Sequence, residues 1–576
     1  MTEGGSQGLF VVVAVVIFGI FVSIAYLLFD DTLKPALAGI FKDGIFQAEK
    51  RLEGSGVEYV PGGVDDAIKV DLNGEANVKE NNGYIYLRLR DNTAETSGQE
   101  IWAKTKVKTD ESNGMQYIAI QQVSTSFNNN ETGFILGGSS TMKGNLTIPD
   151  TVTFSNGAVL PILEIEKQAF EKATFNGEFT ANGVRKIGDR AFYASSFKTY
   201  SAKNLEDVGN SAFYNSSFNN NGEYSNFNSS KIKNIGEYAY RNAYFTGDFV
   251  ANELTNVGGE AFFFSKFNNK FEAEKVKKIG DKAYEYSTFV GDVIANDLEN
   301  VGSRSFYNSK FNGNLEMAKL NTIGNYAFFK SEFIGNFKAP ELVSIGTKAF
   351  AYSLFTDGDF IAPKLKTIGA QAFSDDYSSD EGGYTTTPKK MFQKGTFDAP
   401  MLETVGGKGL IYAYFSERTP ETTFENLKSV GYQSFYLSSF TGNINLNNLK
   451  RAGDYSFYSA KFTGDFSSPN ITSIGNYAFG LSLFDGTFNA PELTTIGEYA
   501  FEKSIFKGKL TINNVKTLPY GVFRSSNFTE LEAENLTSVA NAVFYKSVFT
   551  TVNAPKLTKA NVGTTYGGNL RDMLPN

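Results

Sequence analysis

From Leu254 to Leu342 the sequence returns to one pattern every 22 residues, with starts at Leu254, Val276, Leu298, Leu320 and Leu342. The pattern is L-x-x-I-G-x-x-A-F-x-x-S-x-F-x-G-x-F-x-A-P-x. Farther on, "ITSIGNYAFGLSLFDGTFNAPE" (Ile471–Glu492) is followed directly by "LTTIGEYAFEKSIFKGKLTINN" (Leu493–Asn514). A fixed period of this length is the signature of a solenoid, in which each unit is one coil and touches only its neighbours. Ordering the backbone costs about 1–2 kcal/mol per residue, against about 1.5–3 kcal/mol for each large apolar side chain fully buried. A single coil therefore cannot fold alone, and the repetition is a condition of stability. Starts continue from Val184 to Leu557, which predicts an array of about 18 coils.

Within the repeat at Leu320, Phe333, Gly335, Phe337 and Ala339 alternate along "FIGNFKA", the period of a short strand with one face inward. Gly324 is placed to supply a positive φ that turns the chain into "NYAFFKS". That stretch reads as a short helical turn capped by Asn325, as Asp189, Asp281 and Asn476 cap theirs. The expected class is an α+β repeat solenoid, a short strand plus a short helical turn per coil. Leu320, Ile323, Phe328, Phe333 and Phe337 are the expected core, stacking on their counterparts one coil away. The residue three after the Ala-Phe pair is small: Ser265, Ser287, Ser309, Ser331, Ser353, Ser438, Ser482 and Ser504, or Ala243 and Ala460. With no base beside them, these serines read as spacers between coils rather than nucleophiles.

The pattern closely resembles the leucine-rich repeats of the BspA-like (Treponema pallidum type) bacterial surface proteins. The entry segment "LTIPDTVTFSNGAVLPILEIEKQAF" (Leu146–Phe170) is similar to that family's opening coil, and the resemblance extends to Leu557. Where the family commonly carries Cys, this chain has Ser or Ala. Its Leu-x-x-Ile-x-Ile strand is replaced here by Phe-x-Gly-x-Phe-x-Ala. The resemblance implies a surface-exposed binding or adhesion protein with an extracellular array.

Gly8 to Phe29, "GLFVVVAVVIFGIFVSIAYLLF", contains no charged residue. As a helix it would cover roughly 33 Å, enough for a bilayer core, so residues 1–30 are expected to be an uncleaved single-pass anchor. The Lys34, Lys42, Lys50 and Arg51 that follow would hold the bulk of the chain in the cytoplasm on the positive-inside rule, against the side implied by the resemblance. The Gly-Leu-Phe start is similar to type IV pilin-like N-termini, though without a Glu early in the helix. Residues 31–64 read as a helical stalk with a break at "GSGVEYVPGG". In 65–140, "YIYLRLRD", "IWAKTKVKT" and "MQYIAIQQV" alternate with period two and read as a small β-rich domain. The solenoid takes 141–576.

Composition narrows the chemistry. The chain has 53 Phe but no Cys and no His, which removes thiol nucleophiles, Ser-His-Asp relays, Cys/His zinc sites and disulfides. A net charge of −8 with both signs interspersed argues against nucleic acid. "VGGKGL" (Val405–Leu410) lacks the spacing of a phosphate loop. Neither an enzyme nor a cofactor is expected, and no catalytic, cofactor or metal residue is assigned. Recognition is expected on the outward strand residues, such as Thr246, Asp248 and Val250, then Asn268, Lys270 and Glu272, then Val290, Asp292 and Ile294, which vary while the inward set hardly changes. A second stripe, Tyr193, Tyr214, Phe263, Tyr307, Phe329, Tyr436, Tyr458 and Tyr545, is expected to pack and seal the helical edge. Insertions at 219–231, 375–395 and 416–423 should emerge as loops on one edge. The middle one carries Asp375, Asp376, Asp380 and Glu381 without the ligand spacing of a calcium loop. The functional expectation is adhesion to a protein or glycan ligand on a host, matrix or neighbouring cell. The alternative is a structural component of a surface appendage or transfer apparatus.

Overall fold

The computed structural model describes residues 68–69, 77–81, 84–90, 101–124, 141–154, 157–218, 227–374, 391–392, 397–410, 414–415, 424–440, 443–559 and 562. The anchor at 8–29 and the stalk at 31–64 lie outside them.

Among the described residues the array is a β-solenoid of about 16 turns, against the 18 expected. The last start, Leu557, is followed by only part of a coil, to Val562, among the described residues. In the coil at Leu320, Thr322–Ile323 pairs in parallel with Asn300–Val301 before it and Ser344–Ile345 after it. Glu332–Phe333 and Phe337–Lys338 pair likewise with their counterparts. "FIGNFKA" is thus two short strands separated by a bend at Ile334–Asn336, and both Phe333 and Phe337 are buried as their alternation requires.

Among the described residues there is no α-helix, which corrects the α+β class and the helical turn per coil. Along Gly324–Ser331 the amides alternate in their bonding. Those of Ala327, Phe329 and Ser331 donate three residues back, to the carbonyls of Gly324, Tyr326 and Phe328. Those of Tyr326, Phe328 and Lys330 donate to Thr347, Ala349 and Ala351 in the next coil. A helix would spend every amide four residues back within its own segment. Here half of them hold the neighbouring coil instead, and the segment becomes a run of β-turns.

The positive φ also falls elsewhere than expected. It lies at Tyr326 (57°) and Lys330 (59°), the third residues of the turns 324–327 and 328–331, and not at Gly324. Such a turn normally places glycine there. A tyrosine and a lysine hold the conformation because cross-coil bonds flank and include them. Gly324 is required for a different reason: a Cβ on it would lie 2.9 Å from the Val301 carbonyl oxygen and 3.0 Å from the Gly302 carbonyl carbon of the preceding coil.

Asn325 does not cap a turn of its own. Its Oδ1 accepts the Thr347 amide of the next coil at 2.8 Å. Asp189 accepts the Asn210 amide, Asp281 the Ser303 amide and Asn476 the Glu498 amide in the same way. Each side chain accepts an amide as a capping residue would, but the amide belongs to the next coil, which corrects the helix-capping expectation.

Inside, the rings form columns. Phe306, Phe328 and Phe350 stack at 5.0 and 4.9 Å with planes within 6°. Phe311 and Phe333 stack at 5.1 Å, and so do Phe337 and Phe360. Parallel strands fix the coil spacing near ~4.8 Å. Near-parallel rings at that separation must be laterally offset, which is the arrangement their quadrupoles favour. Phenylalanine suits a core whose period the backbone has already set.

At the N-terminal end, Tyr84–Arg90, Ile101–Thr109 and Gln116–Ser124 form an antiparallel meander. Its last strand pairs in parallel with Val159–Ile165, so the meander extends one sheet of the solenoid and shares its core. At the seam Lys108 bonds Glu164 at 2.9 Å and Glu166 at 2.5 Å, and the Tyr117 hydroxyl donates to Glu164 at 3.1 Å. Burial alone would raise the Glu164 carboxyl, but the Lys108 hydrogen bond, Lys186 and the Tyr117 hydroxyl hold it below its ordinary value.

Candidate interaction surface

The outward strand residues are largely occupied in holding coils together. Thr246 is buried, its hydroxyl donating to the Phe218 carbonyl at 3.3 Å. Asp248 accepts the Lys270 amide at 3.2 Å and Asp292 the Asn314 amide at 2.7 Å. Lys270 pairs with Glu272, and Asn268 donates to the Tyr244 hydroxyl at 2.6 Å. Val250, Glu272 and Ile294 are half-buried, while Val290 is exposed. Salt bridges between neighbouring coils, such as Lys275–Glu253, Lys338–Glu316 and Lys364–Glu341, continue the pattern.

The serine column forms a buried ladder. Ser331 Oγ donates to the Phe306 carbonyl at 2.7 Å and accepts the Ser309 amide at 3.2 Å. Ser353 repeats this with the Phe328 carbonyl and the Ser331 amide. These hydroxyls are committed to backbone, as the spacer reading implies, and they contribute hydrogen bonds that the spacing argument did not supply.

The turn edge carries the aromatics. Tyr193 stacks on Tyr214 at 5.0 Å, Tyr307 on Phe329 at 5.0 Å and Tyr436 on Tyr458 at 5.4 Å. Tyr307 and Phe329 are buried, and Tyr193, Tyr214, Phe263, Tyr436, Tyr458 and Tyr545 are half-buried. The stripe packs as expected, though against an edge of turns rather than of helices. The Arg190 and Arg304 guanidinium groups lie 4.3 and 4.2 Å from the ring centres of Tyr193 and Tyr307 and pair with Glu171 and Glu285.

A second aromatic row escaped the sequence reading. In the C-terminal coils the residue before the Ala-Phe (or Ser-Phe) pair is Tyr455, Tyr477 and Tyr499, each at positive φ. These three rings stack at 4.8 Å in both steps. Tyr432 and Tyr520 close the two ends edge-on, at 6.0 and 5.3 Å. Their exposure, 51% and 40%, is high for tyrosine in this fold. The signal was present as "DYSF", "NYAF" and "EYAF" in successive repeats, but without the left-handed turn nothing pointed those side chains outward. Burial against its neighbours, and then the charge of Glu502, push the Tyr477 phenol up to about 12.

Most of the insertions at 219–231 and 375–395, and all of 416–423, lie outside the described residues, including the acidic cluster at Asp375, Asp376, Asp380 and Glu381. Among the described residues no group of three or more acidic side chains is placed to hold a metal ion. Nor is any helix among them long and apolar enough to cross a membrane.

The model of the BspA type leucine-rich repeat region matches residues 163–291, 270–380, 412–504 and 463–565, in six copies, well over half of the chain. The chain belongs to the BspA-type leucine-rich repeat family. No curated protein matches it. Among solved structures, this BspA-type chain is similar to a leucine-rich repeat protein from Bacteroides ovatus, with 18% identity, 72% of this chain and 93% of that chain covered, and a TM-score of 0.35. It is also similar to a leucine-rich cell surface protein from Faecalibacterium prausnitzii, with 13% identity, 86% and 93% covered, and a TM-score of 0.21. The pneumococcal vaccine antigen PcpA is a third, with 15% identity, 86% and 95% covered, and a TM-score of 0.26.

Proposed function

We propose that this BspA-type protein is displayed on a bacterial surface, held by a membrane anchor at 8–29 with its array extracellular. There it mediates adhesion by binding a protein or glycan ligand on a host, matrix or neighbouring cell. The observation that carries the reading is the tyrosine row from Tyr432 to Tyr520. Tyrosine offers a rigid apolar ring with a polar tip and is enriched where protein surfaces meet partners. Polar outward strand residues such as Thr246, Asp248, Asn268 and Asp292 are, by contrast, engaged in cross-coil bonds, which favours the turn edge. The three central rings, Tyr455, Tyr477 and Tyr499, are stacked face to face, and the exposed Tyr432 and Tyr520 stand edge-on at the two ends, a mixed surface of rings and hydroxyls that suits a protein partner. The F. prausnitzii protein is described as a cell surface protein, which agrees with this placement.

The test uses the full chain on intact cells. The array should be cleaved by added protease, and cells should adhere to immobilised matrix proteins. Tyr432→Ala with Tyr520→Ala, which removes the two most exposed rings of the row, should weaken that adhesion about tenfold or more, the effect of losing aromatic contact residues. A protease-resistant array on intact cells, or adhesion unchanged in the double variant, would overturn the proposal. Filaments that vanish on deleting 8–29 would instead favour an appendage subunit.

A further inference from the structure

The tyrosine row is symmetric about its centre. Its five turns begin at Gly431, Gly453, Gly475, Gly497 and Pro519, each 22 residues after the last. Tyrosine takes the second place in the two outer turns, at Tyr432 and Tyr520, and the third place in the inner ones, at Tyr455, Tyr477 and Tyr499. The contacts repeat this symmetry. Both inner steps are stacked at 4.8 Å, and the outer rings meet the inner ones at 70° and 73°. A two-fold axis through Tyr477 therefore carries Tyr432 onto Tyr520 and Tyr455 onto Tyr499. A patch that meets an unrelated protein needs no such symmetry, whereas a two-fold contact between copies requires it.

The spacing of the row points the same way. An α-helix laid along it presents a side chain every 5.4 Å and slips by about 2 Å over four steps. An extended strand, with same-face residues about 6.7 Å apart, loses register sooner. Another parallel β-solenoid keeps step with all five turns. An axis lying across the coils sets each place in a turn opposite the same place in the other copy and reverses the coil order. The exposed Leu481, in the central turn, then faces itself, and the exposed Leu437 faces Ser525. Arg524 faces the Tyr436 ring and Glu502 the Tyr458 phenol, a cation on an aromatic and an acceptor on a donor.

We infer that the ligand on a neighbouring cell is a second copy of this chain, docked antiparallel through the tyrosine row about a two-fold at Tyr477. The inference rests on the reading above, in which the row is a contact surface outside the cell. Reversed coil order sends the two N-terminal ends in opposite directions, so anchors at 8–29 enter opposing membranes and the contact joins cells. A contact four coil steps long, about 19 Å, is at the small end of specific interfaces. The exposed Asp454 and Glu498 also face each other across the axis as like charges. Single contacts are therefore weak, and many copies on each membrane supply the strength.

The test places the full chain, array outward, in phosphatidylcholine vesicles of two colours with no other protein. The colours should co-cluster, and Tyr432→Ala with Tyr520→Ala should raise the protein density required about tenfold or more. Glu498→Gln should lower it about twofold, by removing the like charge opposite Asp454. Because the chain has no cysteine, engineered thiols and a short thiol-reactive cross-linker report the register. Leu481→Cys should cross-link to itself between vesicles. Leu437→Cys should cross-link to Ser525→Cys and not to itself. Vesicles that stay apart would overturn the inference, as would Leu437→Cys linking to itself as readily as Leu481→Cys. Matrix adhesion that depends on the tyrosines, beside vesicles that never cluster, would sink the second copy and leave the row's binding role standing.

Discussion

Tyr326 and Lys330, four residues apart, both adopt the left-handed backbone conformation, and the amides of both donate to the next coil, at Thr347 and Ala351. The relationship recurs along the array and is what makes the edge a run of turns. It also stores strain, since a side chain with Cβ is disfavoured in that region by about 1 kcal/mol or more. At Ser525, with φ of 58°, replacement by glycine should raise stability by about 0.5–1 kcal/mol, the gain being trimmed by entropy lost from a freer unfolded chain. Ser525→Val should lower it by about 1–2 kcal/mol. Urea midpoints check both.

Phe333 lies in a ring column between Phe311 and Phe355. Phe333→Ala should cost about 3–5 kcal/mol. Phe333→Asp should unzip neighbouring coils, seen as early exchange of amide hydrogens in Leu298–Leu365. Asn336→Asp should leave the fold intact, because its side chain acts only as an acceptor, for the Asp359 amide at 2.9 Å, and a carboxylate serves there equally.

Buried hydroxyls divide into two kinds. Ser331→Ala removes one acceptor of the Ser309 amide and one donor to the Phe306 carbonyl, which remain bonded to each other at 3.3 Å, and should cost about 1 kcal/mol. Tyr240 is fully buried and its hydroxyl has no partner. Tyr240→Phe should therefore be neutral or stabilising by up to about 1 kcal/mol. Opposite signs in thermal unfolding are the expected result.

Tyr117 and Tyr477 both have phenols pushed up to about 12, chiefly by burial. The folded state holds their protons more tightly than the unfolded chain does. Their contribution is complete below the ordinary phenol value of 10.0 and is lost as pH rises from there through about 12. Thermal midpoints should fall across that window, less steeply in Tyr117→Phe and Tyr477→Phe.

The Lys108–Glu164 pair welds the N-terminal meander to the first coil. Lys108→Met leaves Glu164 with only the longer Lys186 ion pair, at 3.5 Å, and should cost about 1–2 kcal/mol, below the range for a broken buried pair because Lys186 remains and Lys108 is partly exposed. Proteolysis should then release the meander before it attacks the array.

Much of this was legible in the period alone. A coil that recurs every 22 residues, with Leu320, Ile323, Phe328, Phe333 and Phe337 apolar, has one way to bury them, against the same residues in the next coil. The serine column was legible as structural for the same reason. The helical turn was misjudged because "NYAFFKS" carries helix-compatible residues, and whether its amides bond within the segment or across to Thr347, Ala349 and Ala351 depends on acceptors that exist only once a second coil is in place. The outward row at Tyr455, Tyr477 and Tyr499 followed from that same choice, since a left-handed residue directs its side chain off the edge. Periodicity determined which side chains meet. Where each backbone hydrogen bond goes, and so which residues face outward, was decided by the neighbouring coil.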